Sequence, residues 1–171
     1  MHKSAFTLIE LMVAVTIVAI IAGIFALNVG GNLSKARDAK RKSDLRSLKT
    51  SFDLYYNVNN IYPPSDSSWP PFSGDTRIKG CGTLQAPTNC DWGTPWIQDG
   101  VTYMGVLPKD PKGQWSYFYL RAPQGRLSYL MVAKLERSID PDNAASQSNC
   151  QDTTYGFVFS DPSWFVMCDA R

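Results

Sequence analysis

The first hydrophobic pattern along the chain is continuous rather than periodic. From Phe6 to Val29 it reads FTLIELMVAVTIVAIIAGIFALNV, and Glu10 is the one charged side chain within it. A run of that length suits a bilayer-crossing helix, which takes about 20 apolar residues. The second pattern is helical. Leu45, Leu48, Phe52 and Tyr55 or Tyr56 recur at helix spacing and predict one apolar face for a sheet to pack against. Gly30-Gly31 stands between the two patterns and predicts a bend or unwound stretch, since each glycine weakens a helix by about 0.8–1 kcal/mol relative to alanine. The third pattern is strand-like. Trp115–Arg121 and Leu127–Leu135 flank Pro123-Gln124-Gly125 and read as a hairpin, and Tyr155–Phe159 with Trp164–Cys168 read as a second pair. Between helix and strands, residues 61–114 hold Pro63-Pro64 and Pro70-Pro71 among many Gly, Ser and Asp, the composition of a long irregular loop. Its aromatics Trp69, Phe72, Trp92 and Trp96 supply packing of its own.

These patterns predict an α+β chain, in which a long N-terminal α-helix, apolar in its first half and amphipathic in its second, packs on a small antiparallel β-sheet head through an irregular αβ-loop. The expected divisions are 1–5, 6–29, 30–57 and 58–171, with the loop at 61–114 and the sheet at 115–171. Once the apolar run is set aside, the 171 residues leave enough chain for one small globular domain.

Glu10 changes the reading of the apolar run. A carboxylate inside a membrane span costs roughly 2.5–3.5 kcal/mol on insertion scales and is a functional hypothesis by default. A secretory signal peptide has a shorter apolar core, about 7–15 residues, with a cleavage site after it. A plain single-span anchor gives Glu10 no role. Lys3-Ser4-Ala5 followed by Phe6-Thr7-Leu8-Ile9-Glu10-Leu11-Met12 resembles the processing site of type IV prepilins and type II secretion pseudopilins. The family carries Gly before the cut, where this chain has Ala5. The resemblance implies a leader, residues 1–5, removed between Ala5 and Phe6 by a prepilin peptidase, N-methylation of Phe6, and Glu10 as the residue that guides subunit docking. An α-amine is mostly charged at neutral pH, so Glu10 of one subunit can pair with the Phe6 amine of a neighbour. Such a buried polar pair sets register in a helical bundle.

Charge is unevenly spread. Lys35, Arg37, Lys40, Arg41, Lys42, Arg46 and Lys49 stand against Asp38 and Asp44, and beyond residue 49 acids outnumber bases. Asp38 and Lys42 are spaced for a helical i,i+4 ion pair. This basic collar reads as a solvated helix face rather than a nucleic-acid site, with lipid headgroups within reach while the subunit is in the membrane. The positive-inside rule would hold the collar in the cytoplasm, whereas the resemblance implies an exported head. Four cysteines, Cys81, Cys90, Cys150 and Cys168, argue for export, because disulfides persist outside the cytosol. Four cysteines permit three pairings, and Cys81–Cys90 with Cys150–Cys168 is the expected one. Zinc is disfavoured by the absence of a Cys-x-x-Cys spacing.

Catalysis is not expected. His2 is the single histidine and falls in the predicted leader, and no phosphate-binding glycine loop is present. The stretch Leu107-Pro108-Lys109-Asp110-Pro111, with Gly113 and the aromatics Trp115, Tyr117 and Tyr119, is similar to the segment that opens the sheet of major pseudopilins. That resemblance implies calcium as a candidate ligand of a late loop, with Asp140, Asp142, Asp152 and Asp161 as candidates by residue type and region; the alternative is that they cap turns. No other cofactor is implied. The implied function is a structural subunit of a type IV pilus or a type II secretion pseudopilus, a helical homo-oligomer handled by the peptidase/methylase and an inner-membrane assembly platform. Its localisation would be a single-pass inner-membrane protein with exported head, then a periplasmic or surface filament. The alternative is a minor pilin whose head is a binding module for a surface, DNA or an exported protein.

Overall fold

The computed structural model describes residues 6–26, 29–66, 76–113, 117–121, 128–151, 159 and 161–170. The chain forms two compact units, Met1–Ala36 and Arg37–Arg171.

The first unit holds α1 (Leu8–Ala26). Its apolar side chains have no core to enter: Phe6, Leu8 and Val18 are 86%, 77% and 65% exposed. Among the described residues no helix is long and apolar enough to cross a membrane, and α1 covers 19 residues of the apolar run. The leader, residues 1–5, lies outside the described residues. Helix α2 (Val29–Asn59) begins before Gly30-Gly31, so both glycines are helical and the predicted unwinding there is corrected. Both lie in the first turn of α2, where their carbonyls accept from the amides one turn on, and this outweighs a glycine penalty of about 1 kcal/mol each.

The second unit is α+β. Leu45, Leu48, Phe52 and Tyr55 of α2 are all buried, as their spacing predicts. Helix α2 stops at Asn60, which takes a left-handed φ of 55° and donates its amide to the Tyr56 carbonyl at 2.7 Å; asparagine tolerates that conformation better than most residues. The face of α2 lies against an antiparallel sheet of β5 (Phe118–Arg121), β6 (Ser128–Lys134) and β7 (Trp164–Ala170), in the order β5-β6-β7. Strands β5 and β6 are the predicted hairpin, in register Phe118↔Val132 and Tyr119↔Met131. Strand β7 pairs with β6, Val166 opposite Val132. Residues 155–158, expected as a strand beside it, lie outside the described residues.

Strand β6 is buried on both faces, and alternation explains how. Tyr129, Met131 and Ala133 point into the core shared with α2, while Leu130 and Val132 join Val166 and Cys150 on the other side. That second face is covered by α3 (Pro141–Cys150), a helix that the sequence reading did not predict. Asp140 caps it, accepting a hydrogen bond from the Asp142 amide, with Pro141 in the first turn; this is the usual chemistry of a helix start.

The αβ-loop is more ordered than expected. It contains a small sheet of β1 (Cys81–Gly82), β2 (Pro87–Thr88), β3 (Trp96–Gln98) and β4 (Val101–Met104), in the order β2-β1-β3-β4. The β1–β3 pairing is parallel, so the head is not purely antiparallel. Asp99 and Gly100, both at positive φ, form the two-residue turn from β3 to β4, the geometry that favours Asp-Gly. Trp96 ties this sheet to the core. It is fully buried, stands edge-on to Phe52 at 5.3 Å, and donates its indole proton to the Gly80 carbonyl at 2.8 Å. Trp92 and Trp96 are both placed in packing; Trp69 and Phe72 lie outside the described residues.

Candidate assembly site and the charged corner of the head

The start of α1 is built by Thr7 and Glu10. The Thr7 amide and hydroxyl both donate to Glu10 Oε2, at 2.9 and 2.8 Å, and the Glu10 amide donates back to Thr7 Oγ1 at 3.3 Å. This is a reciprocal capping box, which satisfies orphan amides at a helix start. The Thr-x-x-Glu spacing carries this signal in the sequence, at the head of a run whose unbroken hydrophobicity masks a helix start. Its second carboxylate oxygen makes no hydrogen bond among the described residues. A carboxylate offers roughly four acceptor sites, so Glu10 can close its own helix and still accept a cation. Phe6 lies just before the box, exposed. Ala5 lies outside the described residues.

The basic collar is a solvated face only in part: Lys35, Lys40 and Arg46 are exposed, whereas Arg41 and Lys42 are buried. Arg41 is fully buried and is surrounded by three carboxylates: Asp110, bidentate at 2.7 and 3.0 Å, Asp38 at 2.8 Å and Glu136 at 3.1 Å. Arg37 grips Glu136 with two further bonds, 2.5 and 2.7 Å. Asp38 also accepts the backbone amides of Glu136 and Arg137, at 2.9 and 3.1 Å. The predicted Asp38–Lys42 pair does not form. Asp38 is consumed by Arg41 and by the chain after β6, and Lys42 turns to Asp140 and Asp142 at 2.5 and 2.9 Å. Tyr117 donates its hydroxyl to Asp44 at 2.7 Å, where Lys40 also arrives at 2.6 Å. Hydrogen bonds from Arg37, opposed by burial and helped by Arg41, hold the Glu136 carboxyl down at about 2. Burial, reinforced by the bond to Asp44, pushes the Tyr117 phenol well up. The segment therefore acts as a clasp, fastening α2 to the loop at 107–113 and to the end of β6.

Among the described residues, the candidate calcium ligands Asp140, Asp142 and Asp161 are already engaged by other partners. Asp140 and Asp142 converge on the Lys42 ammonium. Burial raises the Asp140 carboxyl, but the Lys42 bond and the Asp142 amide outweigh it and leave it below the usual range. Asp161 is closed onto Ser163, accepting from its amide at 2.9 Å and its hydroxyl at 2.6 Å. Asp152 lies outside the described residues. Among the described residues no three His, Cys, Asp or Glu side chains gather as a metal site.

Two disulfides staple the head. Cys81–Cys90 closes the αβ-loop and Cys150–Cys168 joins the end of α3 to β7; among the described residues no free cysteine remains.

An exposed apolar helix opened by a Thr–Glu box, in one chain with an α+β head built on a second helix, defines the pilin-like class. Residues 1–26 match the family described as the prokaryotic N-terminal methylation motif. Over 126 residues the chain is 32% identical to type II secretion system core protein G of Dickeya chrysanthemi, covering 73% of this chain and 71% of that one. It is 39% identical over 112 residues to the core protein G of Aeromonas hydrophila, covering 66% and 69%, and 31% identical over 112 residues to that of Escherichia coli strain K12, covering 65% and 68%. The chain belongs to the type II secretion system core protein G family, the major pseudopilins. These are structural subunits rather than enzymes. No solved structure matches the chain.

Proposed function

We propose that the protein polymerises through its N-terminal helix into the pseudopilus of a type II secretion system. In this reading, cleavage between Ala5 and Phe6 frees an amine, Phe6 is N-methylated, and the amine meets Glu10 of a neighbouring subunit. The observation that carries the proposal is the match of residues 1–26, which include Phe6 and Glu10, to the methylation motif. Two features support it. The side chains of α1 from Leu8 to Gly23 are exposed, an arrangement that calls for lipid or other helices rather than water. The Thr7 box occupies one oxygen of Glu10 and leaves capacity on the other. The Phe6–Val29 run supports a membrane anchor before assembly and the four cysteines an exported head, first at the inner membrane and then in a periplasmic filament. The likeness to proteins named core protein G favours a filament subunit over a minor binding module.

The test is intact-mass and N-terminal mass spectrometry on sheared filaments and on membranes, from wild type and Glu10→Ala. Filaments of a product starting at methylated Phe6, together with a Glu10→Ala subunit that stays in the membrane, are the expected result. Filaments at normal yield from Glu10→Ala would remove the register argument. An unprocessed Met1 product confined to membranes would remove the filament reading itself.

A further inference from the structure

The corner where α2 meets the start of α3 holds two carboxylates and one cation. Lys42 Nζ lies 2.5 Å from Asp140 Oδ1 and 2.9 Å from Asp142 Oδ2. Beneath it the Phe165 ring centroid is 5.5 Å away, close enough for a favourable cation–π contact. The Lys42 and Asp140 side chains are only 10% and 9% exposed, so their charges are compensated by each other more than by water. Asp140 does a second job in the same place, accepting the Asp142 amide at 3.0 Å to cap α3. Two carboxylates drawn to one point repel unless a positive charge sits between them. A divalent cation is one solution and needs several oxygen ligands. Here α2 delivers the charge from within the chain.

We infer that Lys42 stands in the place of a divalent cation at this corner, so that the start of α3 holds its fold without metal. The ammonium compensates both acids and lies over the Phe165 ring, and the start of α3 is thereby pinned to α2. The remaining anchors of α3 need no metal either. Asn143 donates to the Pro162 carbonyl at 2.8 Å, and Gln147 to the carbonyls of Asp161 and Trp164 at 2.9 and 2.8 Å. The disulfide Cys150–Cys168 fixes the far end.

The inference is read by thermal melting of the full-length protein in detergent micelles, followed by near-UV circular dichroism, in excess CaCl2 and in EGTA. The wild type melts at the same temperature in both. Lys42→Met melts lower by about 5 °C or more, because it strands the poorly solvated Asp140 carboxylate, 9% exposed, next to the negative charge of Asp142, which is 57% exposed. The triple variant Lys42→Met/Asp140→Asn/Asp142→Asn recovers most of that loss, since asparagine keeps the helix cap and no charge is left uncompensated. If Lys42→Met does not fold, the triple variant alone decides, by folding. A wild type that melts higher in CaCl2 than in EGTA would overturn the inference. So would a Lys42→Met protein as stable as wild type, or a triple variant no better than the single one, which would assign the effect to packing on Phe165. None of these readouts depends on filament formation, so failure here is separable from failure of the assembly proposal.

Discussion

Arg41 and Asp110 face each other in a two-pronged contact, Nε to Oδ2 at 2.7 Å and Nη2 to Oδ1 at 3.0 Å, with the guanidinium fully buried. Removing one partner of a buried pair is far more damaging than never having built it. Arg41→Met leaves Asp38, Asp110 and Glu136 around an apolar stem and is expected to destabilise the head by about 3–5 kcal/mol. Arg41→Lys should recover only part of this, because a point charge cannot reproduce the planar fork. Urea denaturation of the two variants beside wild type checks both statements; equal midpoints for Arg41→Met and wild type would mean the contact is dispensable.

Acid should loosen the same clasp. Glu136 is held at about 2 against an ordinary value of 4.5, chiefly by hydrogen bonds from Arg37. A depressed carboxyl stabilises the fold fully above its unfolded value and loses that contribution as pH falls through the folded one. The window is therefore pH 4.5 down to about 2. Melting temperature measured across that range should fall for wild type and fall less steeply for Glu136→Gln, with the two curves converging at the acid end.

The Thr7–Glu10 box separates helix capping from subunit pairing. Thr7→Ser keeps the hydroxyl acceptor and should leave filament yield unchanged. Thr7→Val removes the cap and should weaken the start of α1 by about 0.5–2 kcal/mol, lowering yield without abolishing it. Glu10→Gln retains much of the box but not the charge. If pairing with the Phe6 amine is what matters, Glu10→Gln will assemble worse than Thr7→Val; the reverse order would make the box the main contribution of Glu10.

Gly80 has no space for a side chain. A Cβ there would stand 2.8 Å from Trp96 Nε1 and 3.2 Å from both Pro63 Cβ and Ile78 Cγ2. Gly80→Ala must displace the indole whose hydrogen bond the Gly80 carbonyl accepts. A loss of about 1–3 kcal/mol is expected, as for other overpacked cores, accompanied by a change in the near-UV signal of the tryptophans. An unchanged spectrum and midpoint would show that Trp96 can shift freely.

Local signals were legible and long-range ones were not. The apolar run, the Leu45–Leu48–Phe52–Tyr55 face and the β5–β6 hairpin each announce themselves within a few neighbouring residues. Asp99-Gly100 is an equally local hairpin signal, masked by the proline- and glycine-rich stretch around it. Helix α3 carried its start signal in Asp140-Pro141-Asp142, but Asn143–Asn149 has no apolar stripe, and helix recognition leans on that stripe. The clasp is a different case. Arg41 meets Asp110 and Glu136 across separations of 69 and 95 residues, and nothing in the spacing of Arg41 distinguishes it from a solvated arginine. The i,i+4 rule pointed Lys42 at Asp38 because it counts only neighbours on one helix.

The clasp also gives the collar two electrostatic identities. In the unfolded chain Arg37, Lys40, Arg41 and Lys42 outnumber their neighbours Asp38 and Asp44 beside an apolar run, the kind of flank that resists transfer across a membrane. In the folded head each is matched by a carboxylate supplied from α2 itself or from chain made later. Folding thus pairs off the cations that the positive-inside rule counts, and a flank that is basic as a bare chain is close to neutral once the clasp has closed.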